Sequence, residues 1–530
     1  MTNPFNSRSA SALEGAASEI GSYVVERSIS ELATAMSTGS LTSEMIVKAY
    51  IERIRAIDNS GPCLNSVIEV NPDAEAIARA LDHERLTAGS RGPLHGVPIL
   101  VKDNIGTNDR IATSAGSLAL ATSIPSHDSS VASRLRAAGA VLLGKANMSE
   151  WANFRSSRST SGWSGRGGQC RNPHVLNRSP GGSSSGSGVA AAASLCAAAI
   201  GTETDGSIVY PASLNGVVGY KPTVGLVSRA GILPISQSQD TAGPMTRTVE
   251  DAVLLLEAIQ GTDPDDPATS NIPIGGAVTS VEVLQRDGLR GTRLGVVRNL
   301  MTSNPEVNLQ FEGLLGVLEA EGAEIVYGLV LHGLEELRQD EWEVLLYEFK
   351  NGINAYLSTL RAEGQPRTLE EVIEFNLENA GTAMPLFGQE TLVAAQAKGP
   401  LSSVDYVEAL QRCRRMTRQE GIDALLTDNG LDALICPTTG PAVLIDHVHG
   451  DPKGQSAPSA RPAAVAGYPH VTIPAGMVRG LPWGLSIFST AWRDAQVLRY
   501  AYAFEQATRA RTSPRLLWTA ESYGRQPVVR

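Results

Sequence analysis

The segment from Gly181 to Ser207 constrains this chain more than any other. It reads Gly-Gly-Ser-Ser-Ser-Gly-Ser-Gly, then a stretch of small apolar residues, then Gly-Thr-Glu-Thr-Asp-Gly-Ser. From Gly188 to Gly201 the chain is nearly apolar for 14 residues, fewer than the roughly 20 needed to cross a bilayer. Such a stretch has to be buried within the protein, and its alanines predict a core helix over 189–200.

The rest of the composition is that of an ordered enzyme-sized chain: 530 residues, 42% hydrophobic and 19% charged, can bury one large core or two. A formal charge of −11, from 44 Lys and Arg against 55 Asp and Glu, leaves no basic surface to neutralise phosphates and excludes a nucleic-acid partner. Residues 1–22 have neither a basic start nor an apolar core, so no secretory signal or membrane attachment is expected and the cytoplasm is the expected compartment. The cysteines (Cys63, Cys170, Cys196, Cys413 and Cys436) are odd in number and lack CxxC spacing, which predicts small core residues rather than a disulfide framework.

Along the chain, Thr42 can cap a helix with apolar residues at Ile46, Val47, Tyr50, Ile51, Ile54 and Ile57. Val97, Ile99 and Val101 alternate in a strand that ends at Lys102. A helix over 131–138, a strand over 140–143, a loop over 156–187 and a helix over 249–259 capped by Thr248 with Asp251 follow. Strands recur at 431–437 and 467–485 before a closing helix that contains Val497, Ala501, Phe504 and Ala507. Alternating strands and helices predict an α/β fold, with both ends of the chain sharing one sheet. The expected organisation is a single catalytic domain: 1–75 a helical segment packed on the core, 76–260 the core with the chemical loops, 261–425 a charged helical cover, and 426–530 the completion of the core.

A serine is a poor nucleophile until something removes its proton, and here a lysine and a second serine are at hand instead of a histidine-led triad. The chemistry expected is acyl transfer from an amide. Other motifs overlap the same residues. Gly182 to Gly186 fits G-x-S-x-G, with Ser184 as nucleophile, but that elbow needs a strand before it and residues 172–180 are a poor one. Gly186 to Ala191 fits a relaxed dinucleotide fingerprint and lacks the same strand. His447 and His449, with Asp446 or Asp451, make a polar loop with no dependable third metal ligand. Trp163, Trp483 and Phe387 are candidates for an apolar substrate channel, though aromatic residues more often fill cores.

HGVPILVKDNI (95–105), SPGGSSSGSG (179–188), GTETDGSI (201–208) and VVGYKPTVGLVSRAGILP (217–234) together resemble the amidase signature family, and further matches cover most of the chain outside the central region. The resemblance implies an α/β/α sandwich with a central mixed, mostly parallel sheet covered by helices. It implies a catalytic lysine at Lys102, a serine preceded by a cis peptide bond at Ser183, and a nucleophile at Ser207. Ser184 becomes a neighbouring hydrogen-bond partner, and the backbone N–H groups of Thr204, Asp205, Gly206 and Ser207 an oxyanion hole. For this relay Lys102 must be neutral, so burial has to lower its pKa well below the free-lysine value of roughly 10.4.

GTETDGSI resembles the peptide amidase branch, in which ammonia is removed from a C-terminal peptide amide. Ile208, Val209, Tyr210 and Pro211 follow Ser207, where some relatives acting on acidic substrates place an arginine, so a neutral amide, anilide or carbamate is the expected substrate. No cofactor or metal is implied; the partners are the amide and water, with the chain a monomer or homodimer. The alternatives are the glutaminase subunit of a tRNA-dependent amidotransferase and, from another class, a noncatalytic protein that keeps the fold.

Overall fold

The computed structural model describes residues 21–360, 364–452 and 457–520. Most of residues 1–22, on which the expectation about a leader rests, lie outside the described residues, as does 1–20 of the predicted N-terminal helical segment.

Among the described residues thirteen strands are formed: β1 (Val67–Val70), β2 (Pro98–Lys102), β3 (Val141–Ala146), β4 (Trp163–Ser164), β5 (Gly168–Gln169), β6 (Ala198–Glu203), β7 (Val218–Lys221), β8 (Thr241–Thr246), β9 (Arg293–Val297), β10 (Glu324–Leu329), β11 (Ala433–Pro437), β12 (His470–Val478) and β13 (Leu481–Phe488). All but the small β4–β5 ribbon join one 11-stranded sheet in the order β1-β3-β2-β6-β8-β7-β12-β13-β11-β9-β10. Every residue of β2, β3, β6, β8, β11 and β13 is buried, which requires cover on both faces. Helices supply that cover, and strands from both halves of the chain share the sheet.

The balance of strand directions differs from the expectation of a mostly parallel sheet. Among the described residues β2/β3, β2/β6, β9/β11 and β9/β10 are parallel, whereas the other six neighbouring pairs are antiparallel. One cause is local: Arg479 and Gly480 both take positive φ (51° and 82°), which makes the two-residue turn that folds β12 back on β13 as a hairpin.

Capping predictions agree closely with the structure. The Thr42 side chain accepts from Met45 N ahead of the helix Ser43–Arg53, and that of Thr248 accepts from Asp251 N ahead of Val249–Ile259. The small-residue helix is a correction. It runs only over Ser185–Ala192, and the remainder of the apolar stretch turns at Ser194 (φ 52°) and becomes the central strand β6. Two arginines distant in sequence hold the carbonyls of the last helical turn and of the bend that follows it. Arg53 donates to Ala193 O (3.0 Å) and Ser194 O (2.8 Å), and Arg247 to Ala191 O (2.9 Å), Cys196 O (3.0 Å) and Ala197 O (2.8 Å). Alanine's helix propensity cannot outweigh this tertiary satisfaction of the carbonyls.

Two domain assignments also change. Residues 1–75 are not purely helical, because β1 pairs with β3 at one sheet edge. Residues 261–425 are not only a cover, because β9 and β10 extend the sheet at the other edge. Glycine and exposed charge dilute the strand pattern of β10, of which Leu329 alone is buried. The remainder of the described segment is mainly helical. Its longest helix, Leu334–Ser358, packs Leu345, Leu346, Phe349 and Ile353 against Trp151 and Phe154 of the loops that follow β3. Arg155 fastens this seam: fully buried, it pairs with Glu150 at 2.5 Å and donates to Ala383 O (2.7 Å) and Phe387 O (3.0 Å). Its guanidinium lies 5.2 Å from the Trp163 ring centroid and 4.2 Å from that of Phe387, so these rings clamp a structural cation and do not line a channel. Trp483 is likewise core, its indole donating to Gln310 Oε1 at 2.8 Å. All five cysteines are free, and Cys63 alone of the five is only half-buried.

The start of the Ser185–Ala192 helix is pressed onto the sheet. A Cβ added at Gly186 meets Ser66 O at 2.2 Å and both Asn147 N and O at 2.5 Å, all backbone atoms. In an isolated helix Gly→Ala is stabilising by roughly 0.5–1 kcal/mol; here overpacking of about 1–3 kcal/mol opposes it. Gly186→Ala is therefore expected to lower the melting temperature, and thermal unfolding followed by circular dichroism checks the sign.

Candidate active site

β2 and β6 are parallel neighbours whose register pairs Val101 with Ile200. Their C-terminal residues therefore bring Lys102 and Thr202 out at the same end of the sheet, where open α/β folds place ligands. Lys102 is wholly buried. Its Nζ donates to Ser183 Oγ at 2.7 Å, to the Thr202 carbonyl at 3.0 Å and to Thr202 Oγ1 at 2.9 Å. Asn104 Nδ2 reaches the same Oγ1 at 3.1 Å. Burial pushes the Lys102 amine down to about 7, against the opposing pull of the Asp240 and Glu203 carboxylates. A neutral amine has two N–H groups and one lone pair. With both N–H groups on Thr202, the lone pair is left for the Ser183 hydroxyl.

Ser183 is held from both sides. The Gly182–Ser183 peptide bond is cis, and the Ser183 carbonyl accepts from Ser149 N at 3.1 Å. Ser185 Oγ closes the loop onto Gly181 O at 2.5 Å. Ser184, the nucleophile of the elbow reading, is committed elsewhere: its Oγ donates to Thr202 O (2.9 Å) and accepts from Thr202 N (3.1 Å). Among the described residues no strand runs directly into it, since the last one before it, β5, ends at Gln169. Its own N–H donates to the Ser207 carbonyl at 3.1 Å, and this contact brings the second glycine loop against the first.

The loop over 204–207 joins β6 to the helix Val209–Asn215. The buried Glu203 carboxylate accepts from Ile208 N (2.7 Å) and Val209 N (3.0 Å), which fixes the start of that helix. Gly206 has φ 83°, a turn that L side chains rarely adopt. The N–H groups of Asp205, Gly206 and Ser207 donate to no protein acceptor among the described residues. The Ser207 side chain is half-buried, whereas Ser183 is fully enclosed.

Two supports reach this loop from outside the recognised motifs. Arg461 bridges Asp205 (3.1 Å) and Glu341 (2.6 Å), while Gln239 Nε2 links Glu341 Oε1 (3.0 Å) to the Thr204 carbonyl (3.1 Å). Burial, with Asp205 nearby, pushes the Glu341 carboxyl upward. Thr204 Oγ1 donates to Asp240 at 2.5 Å. Of these partners, Thr202 and Asn104 stand inside motifs already noted, so a signal existed. Glu341 and Arg461 had none, since only folding brings the Leu334–Ser358 helix beside residue 461.

A cavity of about 250 Å³ opens beside these groups, with Ser183, Thr202, Thr204 and Asp240 in its wall and Gly352 and Tyr356 contributed by the long central helix. Ser207 is not part of that wall. His447 bonds Gln169 and His449 bonds Asp446, each at 2.8 Å. Among the described residues no cluster of three or more potential metal ligands is found, and no helix is long and apolar enough to cross a membrane.

The family profile described as Amidase matches residues 45–498. A probable amidase of Arabidopsis thaliana is 40% identical over 506 residues, covering 93% of this chain and 92% of its own. A glutamyl-tRNA(Gln) amidotransferase chain of Halorhodospira halophila is 34% identical, with 91% of this chain and 97% of its own covered. The crystal structure of the native peptide amidase of Stenotrophomonas maltophilia superposes with a TM-score of 0.88 at 48% identity, covering 92% of this chain and 98% of that one. The chain belongs to the amidase family.

Arg461→Met leaves Asp205 and Glu341 without their shared cation. Stranding charged partners of this kind costs about 1–3 kcal/mol, and the variant is expected to unfold at correspondingly lower denaturant, which a urea titration measures.

Proposed function

We propose that this protein is a cofactor-independent amidohydrolase that cleaves a linear C–N amide bond through an acyl-enzyme on Ser207. The observation that carries the reading is the buried Lys102 amine 2.7 Å from Ser183 Oγ. In the neutral state Lys102 takes a proton from Ser183 as Ser183 takes one from Ser207, and the Ser207 oxygen attacks the amide carbon. The N–H groups of Asp205, Gly206 and Ser207, which donate to no protein acceptor among the described residues, stabilise the oxyanion of the tetrahedral intermediate. Collapse of the intermediate returns the proton through Ser183 to the departing nitrogen. Water then repeats the attack on the ester and frees the acid, with the amide and water as the only reactants.

A neutral substrate fits the surroundings. Arg229, the cation in the cavity wall, is held in a two-point pair with Asp266 (2.5 and 2.7 Å), and Ile208 and Val209 after Ser207 are buried and apolar. The 48% identity to a peptide amidase supports C-terminal peptide amides as the substrate class. The glutaminase reading rests on the more distant 34% match. Five unpaired cysteines suit a reducing compartment such as the cytoplasm.

Ser207→Ala is expected to abolish ammonia release from peptide amides with the circular dichroism spectrum unchanged; retained turnover places the nucleophile elsewhere. Because Lys102 acts as the neutral amine, activity is present above its pKa and lost as pH falls, so kcat/KM should drop through about pH 7. Asp240 raises that pKa. Asp240→Asn should therefore move the acid limb to lower pH, and a limb that stays or rises separates Asp240 from the base.

A further inference from the structure

The carbonyl that begins the 204–207 loop is held by a side chain. Gln239 is buried, and its Nε2 donates to the Thr204 carbonyl at 3.1 Å and to Glu341 Oε1 at 3.0 Å, which uses both of its N–H groups. Glu341 Oε2 in turn accepts from Arg461 Nε at 2.6 Å. The segment that presents Gln239 is itself fixed. Asp240 accepts from Ile235 N (2.8 Å) and Ser236 N (2.9 Å), and Glu348 of the Leu334–Ser358 helix accepts from Ser238 N and Ser238 Oγ, both at 3.0 Å. Gln239 therefore meets Thr204 as part of a frame and not as a mobile surface group.

A planar trans peptide points its C=O and its N–H in opposite directions. Among the described residues the cis bond is Gly182–Ser183, so Thr204–Asp205 is trans. With the Thr204 oxygen on Gln239, the Asp205 N–H is turned to the opposite side of that peptide, away from Gln239. This N–H has no protein acceptor among the described residues, and Thr204 stands with Ser183 in the wall of the 250 Å³ cavity. Backbone alone orients the neighbouring donor: Tyr210 N donates to the Gly206 carbonyl at 2.8 Å, which sets the direction of the Ser207 N–H. For Asp205 the corresponding task falls to the Gln239 side chain.

We infer that Gln239 is a positioning residue for the oxyanion hole: by holding the Thr204 carbonyl it aims the Asp205 N–H at the oxygen that becomes negative in the tetrahedral intermediate. This rests on the amidase reading above. Gln239 is not in the cavity wall, so it acts through the loop and not on the substrate. A donor aimed in advance counts most in the transition state, where the charge develops, and little in the ground state, where the amide oxygen is neutral. Arg461 differs in this respect, because it grips the Asp205 carboxylate and not the peptide.

The experiment measures ammonia release from N-acetyl-leucinamide and inhibition by the matching aldehyde, N-acetyl-leucinal. Ser207 Oγ adds to the aldehyde carbon as the relay takes the hydroxyl proton, and the C=O electron pair moves onto an oxygen placed where the oxyanion forms. Gln239→Met, similar in volume but without a donor, should lower kcat about 10- to 1,000-fold, the upper figure being that of a deleted oxyanion donor, with KM changed by no more than about twofold, and should weaken the aldehyde in step. Gln239→Glu keeps the shape of the side chain, shares its one proton with the Glu341 carboxylate and leaves Thr204 O without a donor; it should show the same loss and serves as the test if the methionine variant does not fold. Arg461→Met, which keeps the Gln239 bond to Thr204, should lose less kcat. An unchanged kcat in the folded Gln239 variants, a loss confined to KM, or an equal loss of kcat in Arg461→Met overturns the assignment. Ser207→Ala should bind the aldehyde far more weakly than the unaltered chain, and equal binding there overturns the acyl-enzyme reading itself.

Discussion

The removal of one lysine amine from water is the constraint on which the site depends. At the end of β2, Lys102 is buried beside β6 and the loop that carries Ser183, and burial brings its proton affinity near neutrality. The same enclosure demands partners, and Thr202 supplies two from the adjacent strand. Those contacts orient the amine, so that its third direction falls on Ser183. Base strength and aim therefore come from the same packing.

The two glycine loops depend on that packing in turn. Ser184 gives its hydroxyl to β6 and its N–H to Ser207, so the loop that carries Ser183 and the loop that carries Ser207 are stitched to each other and to the strand between them. Gly186 is needed because backbone from Ser66 and Asn147 occupies the space of a side chain. The Arg461 bridge to Asp205 and Glu341 extends the brace to the central helices. A region with no chemical motif thus supports the motif-bearing loop and also forms a wall of the cavity.

Much of this is legible in the order of residues, because it is governed by local chemistry. Thr42 and Thr248 cap helices by side-chain bonds three residues long, and β2 reads as a strand from its β-branched run. The alanine-rich stretch departs from its pattern because Arg53 and Arg247 hold the carbonyls of the turn that follows its helix, and the edge strand β10 escapes notice because it carries a weak burial pattern. Trp163 and Phe387 have no assignable role in sequence, since that role depends on Arg155 lying between them.

The chain by itself determined its family, its α/β class and the candidate set Lys102, Ser183 and Ser207, because glycine-rich loops and the strand end that bears a lysine are encoded over a few adjacent residues. The tertiary structure decided what those residues experience. Burial, which sets the lysine's charge, the Thr202 contacts that aim it, and the approach of Tyr356 and Arg461 all arise between segments far apart along the chain. Desolvation and long-range pairing exist only once the chain has closed on itself.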